Sequence, residues 1–125
     1  MDLAAGQSWT YDAPAGFETS RIVIGALATC STGGRIVCFS VSKAPYRWPD
    51  GRIETVSIPF VPMSEAAFWR TIRSSIGEGE PDERFAQALS AWADDPRGLA
   101  MFTVPYDGLL DDLIARQMQA LDLAA

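Results

Sequence analysis

Two apolar runs joined by a glycine turn limit this chain more than any other feature. Ser20 to Cys30 and Arg35 to Ser42 are rich in β-branched and small residues, and each carries apolar side chains on both faces. Runs of that length and pattern are strands buried on both sides, and Thr32-Gly33-Gly34 between them is a hairpin signal. Each run therefore reads as a central strand, and the sheet they build is expected to carry helices on one face or end.

The turn also decides where Cys30 and Cys38 lie. A two-residue turn at Gly33-Gly34 sets Cys30 across from Val37, whereas a three-residue loop sets the two cysteines opposite each other. Both registers are open at this level. In a reducing compartment two buried free thiols are expected.

The flanking segments are read from local chemistry. Gln7 to Asp12 alternates around Trp9 and Tyr11 and forms a first strand, and Ala13-Pro14-Ala15-Gly16 turns the chain. Lys43 to Arg52 is expected to be a loop, because it contains Pro45, Pro49 and the turn-forming Pro49-Asp50-Gly51. Ile53 to Val61 is a further strand, and Pro59 within it asks for an edge position or a bulge.

From residue 63 the period changes. Ser64 has the character of a helix N-cap, with Met63 and Phe68 placed as a hydrophobic staple. Phe68, Trp69, Ile72 and Ile76 then share a helical face, with Gly77 as the stop. Pro81 to Ala93 repeats the pattern with Phe85, Leu89 and Trp92, and Trp69 and Trp92 are expected in the core. Leu99 to Val104 is expected as a strand. Asp107 to Leu123 is expected as a helix with Leu110, Leu113, Ile114, Gln117 and Leu121 on one side.

Strands followed by helices indicate an α+β domain. The expectation is a strongly bent antiparallel sheet of four to five strands with about three helices, a small SH3-like barrel being the alternative for the β-half. One domain is expected over 1–125, β-rich over 6–62 and helical with one strand over 63–123.

Composition narrows the function classes. With 48% apolar and 21% charged residues in 125, the chain has the make-up of a globular domain. No apolar run approaches the roughly 18 residues of a membrane span, and Met1 to Gly6 lacks the features of a signal peptide. A soluble, cytoplasmic protein is therefore expected. Residues 1–62 hold equal numbers of acids and bases, while residues 63–125 hold the entire net charge of −6. Such a surface repels phosphate backbones; a solubilising helix surface is its favoured explanation, and a basic protein partner is the alternative it would suit, with no nucleic-acid or membrane partner expected.

The chain contains no histidine, one lysine and two cysteines. Ser-His-Asp and Cys-His catalysis and histidine- or four-thiolate zinc sites are thereby excluded. No glycine-rich phosphate loop is present. The pairs Asp94-Asp95 and Asp111-Asp112 sit at adjacent helix positions, which do not face each other. Glu78 to Glu83 lacks calcium-loop spacing. No cofactor or metal is expected.

Several segments together carry a likeness. Gly6-Gln7-Ser8-Trp9-Thr10-Tyr11, Ser20-Arg21-Ile22-Val23-Ile24, Pro62-Met63-Ser64-Glu65 and Gly98 to Pro105 resemble the pattern of a family of small bacterial proteins without an established activity. The likeness runs from about residue 6 to 118 and implies shape rather than chemistry. Gly16, Glu18 and Arg21 are weakly similar in order to toxin ribonucleases with SH3-like barrels. Ile22 stands where those have proline, and the charge is acidic where RNA binds.

Two groups are candidate partner-binding sites. Tyr46, Arg47, Trp48 and Arg52 combine the residue types that dominate interface hot spots; the alternative is that the rings fold back to cap the sheet. Glu18 and Arg21 form the second group and approach Trp9 and Tyr11 if the first two strands pair. The preferred expectation is a non-enzymatic interaction protein, of immunity, antitoxin-like or regulatory type. The alternative is a small enzyme or ribonuclease-like barrel with a site around Arg21 and the Tyr46–Arg52 loop.

Overall fold

The computed structural model describes residues 2–124. Five strands and three helices follow in the order β1 (Gln7–Tyr11), β2 (Arg21–Thr29), β3 (Arg35–Arg47), β4 (Ile53–Ser64), α1 (Glu65–Thr71), β5 (Ile72–Glu78), α2 (Phe85–Ala93) and α3 (Leu110–Ala124). The strands form one antiparallel sheet in the order β4-β3-β2-β1-β5. This is the α+β class expected. The sheet has two edges, is not closed into a barrel and curls only mildly, which corrects the strong bend and the SH3-like alternative.

The central hairpin is β2–β3, and its loop is Ser31-Thr32-Gly33. Gly33 N donates to Cys30 O at 2.9 Å and Cys30 N to Gly34 O at 2.8 Å, with Gly33 at φ 93°. A type I turn closed by a left-handed residue is the favoured three-residue hairpin loop. The β3–β4 turn repeats it through Pro49-Asp50-Gly51: Gly51 N donates to Trp48 O, Trp48 N to Arg52 O, and Gly51 has φ 90°.

Neither expected cysteine register occurs. Cys38 pairs with Ala26 and Cys30 with Gly34, so both thiols share a face. They lie four strand residues apart, about 13 Å, far beyond disulfide reach, and both are free. Cys38 is buried as expected and Cys30 only partly; burial pushes the Cys38 thiol up to about 12, whereas the Thr32 hydroxyl and amide draw the Cys30 thiol down.

Gly25 explains why β2 looked apolar on both faces. It is an extra residue between Ile24↔Phe39 and Ala26↔Cys38. A single insertion reverses the alternation. Ile22 and Ile24 therefore join Leu27, Val37, Phe39 and Val41 on one face, while Ala26, Ala28 and Cys30 join Ile36 and Cys38 on the other. The first face is covered by Phe68 of α1, Tyr106 and Leu113. The second is covered by α2 through Phe85, Leu89 and Trp92.

Three expectations fail on the second half of the chain and one on the first. α1 ends at Thr71, and Ile72–Glu78 is the fifth strand, paired with β1. Its register carries two irregularities, and Ser74 N is bound by the Thr10 hydroxyl at 2.9 Å. Leu99–Val104 is an extended connection with a single bridge, Phe102 to Met63. Trp69 is 42% exposed and so lies outside the core. Lys43–Arg47 is not loop but the end of β3, reached through a bulge with Lys43 at φ 51°. Only β4 lies alongside this stretch, since β2 begins at Arg21 opposite Ser42, so Pro45 breaks no ladder on that side.

Other signals hold. Ser64 caps α1, accepting from Ala67 N, and Met63 and Phe68 are both fully buried. β4 is an edge strand, as Pro59 requires. Both edges are blunted, β4 by prolines and β5 by its bulged register, which hinders edge-to-edge aggregation.

Candidate functional site

Tyr46 and Trp48 stand at the end of β3 with ring centroids 5.0 Å apart at 71°, edge to face. Trp48 is 37% exposed, and its indole N–H donates to Glu54 at 3.0 Å. Both rings fold toward the sheet, yet they stop short of sealing it. With Val56, Ile58, Pro59 and Leu110 they border an apolar cleft of about 230 Å³.

The two arginines expected beside them are engaged. Arg52 bonds Asp50 at 2.6 Å and Glu54 at 2.8 Å. Arg47 reaches across to α3, 2.9 Å from Asp111 and 3.7 Å from Asp112. It thereby ties the start of α3 to the hairpin, and a smaller hollow of about 100 Å³ lies between Tyr46, Arg47, Leu110, Asp111 and Ile114.

Glu18 and Arg21 do not form an ion pair. The Arg21 guanidinium donates to the main-chain oxygens of Glu18 at 2.6 Å and Ser20 at 2.8 Å. The Glu18 carboxylate accepts from Gly16 N at 3.0 Å, which holds it below its ordinary value. Both groups brace the turn before β2. Trp9 and Tyr11 are buried, and the Tyr11 hydroxyl lies 2.6 Å from that of Ser20. Glu18 and Arg21 are thus spent on the turn, and Trp9 and Tyr11 on the core.

The surface that sequence reasoning missed is the outer side of α3. Among the described side chains of this helix only Leu113 is fully buried, while Ile114, Met118 and Leu121 are 44%, 62% and 61% exposed. At about 100° per residue, Leu110, Ile114, Gln117 and Leu121 fall within a strip about 60° wide, with Met118 beside it. Asp111 and Asp122 follow on the solvent side of Met118 by the same count. On the other flank, Gln117 and Leu121 meet Pro62, Ala100, Met101 and Phe102 around a cleft of about 260 Å³. Gln117 fixes that wall, bonding the Thr103 main-chain N–H and hydroxyl. The signal was the apolar periodicity of α3 itself, which includes Met118 and is wider than one core contact needs.

A larger hollow of about 680 Å³ is lined by Ala4, Ala5, Gly6 and Gly79 together with Gln7, Glu78 and Glu80. Among the described residues no three His, Cys, Asp or Glu side chains are grouped to hold a metal ion. No described helix is long and apolar enough to cross a membrane. No family, no curated protein and no solved structure matches this chain.

Proposed function

We propose that the chain is a non-enzymatic protein-binding module whose docking face is the outer side of α3. The observation that carries this is the exposed strip Ile114–Met118–Leu121, flanked by the cleft at Met101 and Phe102 and by the cleft at Tyr46 and Trp48. Scattered apolar residues are ordinary on a surface, but a continuous strip with grooves on both sides is the form of an interaction site. Large aromatic and sulfur-bearing side chains at its ends are the types that anchor interfaces.

The partner side is basic. Many acids of the second half are neutralised within the molecule, as in Asp82–Arg84, Asp95–Arg97 and Asp107–Arg116. Among the described residues Asp122 has no such ion pair and it borders the strip, and Asp111 shares Arg47 with Asp112. Acids on the rim of an apolar face favour a positively charged partner, chiefly through association rate and choice of partner.

Co-purification from the producing cell tests this reading. A tagged wild-type chain is expected to retain a basic protein that the double variant Met118→Gln, Leu121→Gln releases. A wild-type chain that emerges alone and monomeric at every concentration counts against it.

A further inference from the structure

Resting on that docking face, we infer that its occupant is an amphipathic α-helix of the partner, lying along α3 with basic residues at both ends of its apolar stripe. The face excludes the alternative of strand addition. An α-helix satisfies its own main-chain groups except at its ends, so the side of α3 offers no donors or acceptors for a strand. The open strand edges of the sheet lie elsewhere, on β4 and β5. What α3 presents is side chains with a groove on either flank, and side-chain ridges packing into grooves is how helices meet.

The strip sets the dimensions. Leu110 to Leu121 spans about 16 Å, three turns, which matches apolar residues at i, i+4, i+7 and i+11 of a partner helix. Asp111 and Asp122 sit at opposite ends of this span, eleven residues apart. Basic side chains about eleven residues apart on the partner therefore meet both carboxylates.

A second copy of this chain is the other obvious occupant, and charge disfavours it. Two α3 helices packed antiparallel bring Asp111 of one beside Asp122 of the other; packed parallel, the acids fall on opposite flanks and gain no basic group to meet them. Like charges brought together across an interface weaken it.

The probes are three synthetic helical peptides with the same apolar stripe: one with lysines eleven residues apart at its ends, one with glutamates there, and one with the lysines and a central proline. Binding is followed by fluorescence anisotropy and by amide chemical shifts of the whole protein. The lysine peptide is expected to bind saturably below about 1 mM, shifting amides of α3 and residues 101–103. At least tenfold weakening is expected for the glutamate and proline peptides, and about three- to tenfold for the Asp111→Asn, Asp122→Asn variant at low salt.

Equal binding of the proline peptide overturns the helical occupant while leaving the docking face intact. Binding that shifts amides away from α3, or that Met118→Gln, Leu121→Gln does not weaken, overturns both. Absence of saturable binding by the lysine peptide overturns the helical occupant. Shifts on α3 that depend on protein concentration alone overturn it in favour of a second copy.

Discussion

Tyr106 illustrates how a single atom can cost stability inside an otherwise satisfied interior. Its ring stacks on Tyr11 at 5.2 Å and is 2% exposed, yet among the described residues its hydroxyl makes no hydrogen bond of good geometry, the Tyr11 hydroxyl being turned to Ser20. Burial raises the pKa of that hydroxyl far above the usual range. A buried polar atom without a partner loses water and gains nothing in return. Tyr106→Phe is therefore expected to raise the unfolding free energy by about 1 kcal/mol, measured by urea denaturation. Asp82 is the opposite case. Its carboxylate accepts from the Ser57 hydroxyl at 2.5 Å and from the Arg84 main chain and guanidinium, with its side chain 10% exposed. These donors hold its pKa well below the ordinary 3.8. The group thus adds stability above the unfolded value, and loses it as pH falls below about 4 toward the folded value. Asp82→Asn is expected to cost about 1–3 kcal/mol at neutral pH and to flatten the decline in unfolding free energy measured between pH 4 and 2.

At the scale of elements, the bulge at Gly25 decides which face each half of β2 serves. A Cβ there would fall well inside van der Waals contact with the Phe85 ring, so α2 packs down onto this one position. Gly25→Ala is expected to cost about 1–3 kcal/mol by overpacking; Phe85→Leu in the same chain recovers part of it, which a double-mutant cycle measures. The central hairpin, the Ser64 cap and the edge position of β4 were legible because each rests on neighbouring residues: a glycine turn, an N-cap, a proline. β5 was not legible. Ile72 and Ile76 continue the helical spacing of Phe68, and nothing local announces the switch at Thr71. The switch is set by β1, which offers a free edge and the Thr10 hydroxyl to Ser74, a contact 64 residues away in sequence. Strand preference is decided by such pairing more than by the residues themselves. The α3 face was half legible: its period marked it as amphipathic, while the share of that face the core would cover depended on a connection, 99–106, that lacks regular structure.

At the scale of the molecule, charge and apolar surface divide the labour. Arg35, Arg47, Arg52, Arg73, Arg84, Arg97 and Arg116 each sit in an ion pair, and Arg21 is bound to main-chain oxygens. Exposed pairs of this kind contribute little to stability. Their effect is to leave the unpaired surface charge mainly acidic, including Asp122 beside the apolar strip of α3. The proposed docking face rests on this strip, whose apolar side chains its own fold leaves uncovered. Equilibrium urea unfolding of the Met118→Gln, Leu121→Gln variant tests that most directly. Glutamine keeps helix propensity, so the change reports burial alone. The account predicts a loss of no more than about 1 kcal/mol, against the 2–5 kcal/mol typical of truncating even one buried residue of this kind. A loss above about 2 kcal/mol would place these residues in the structural core and contradict it.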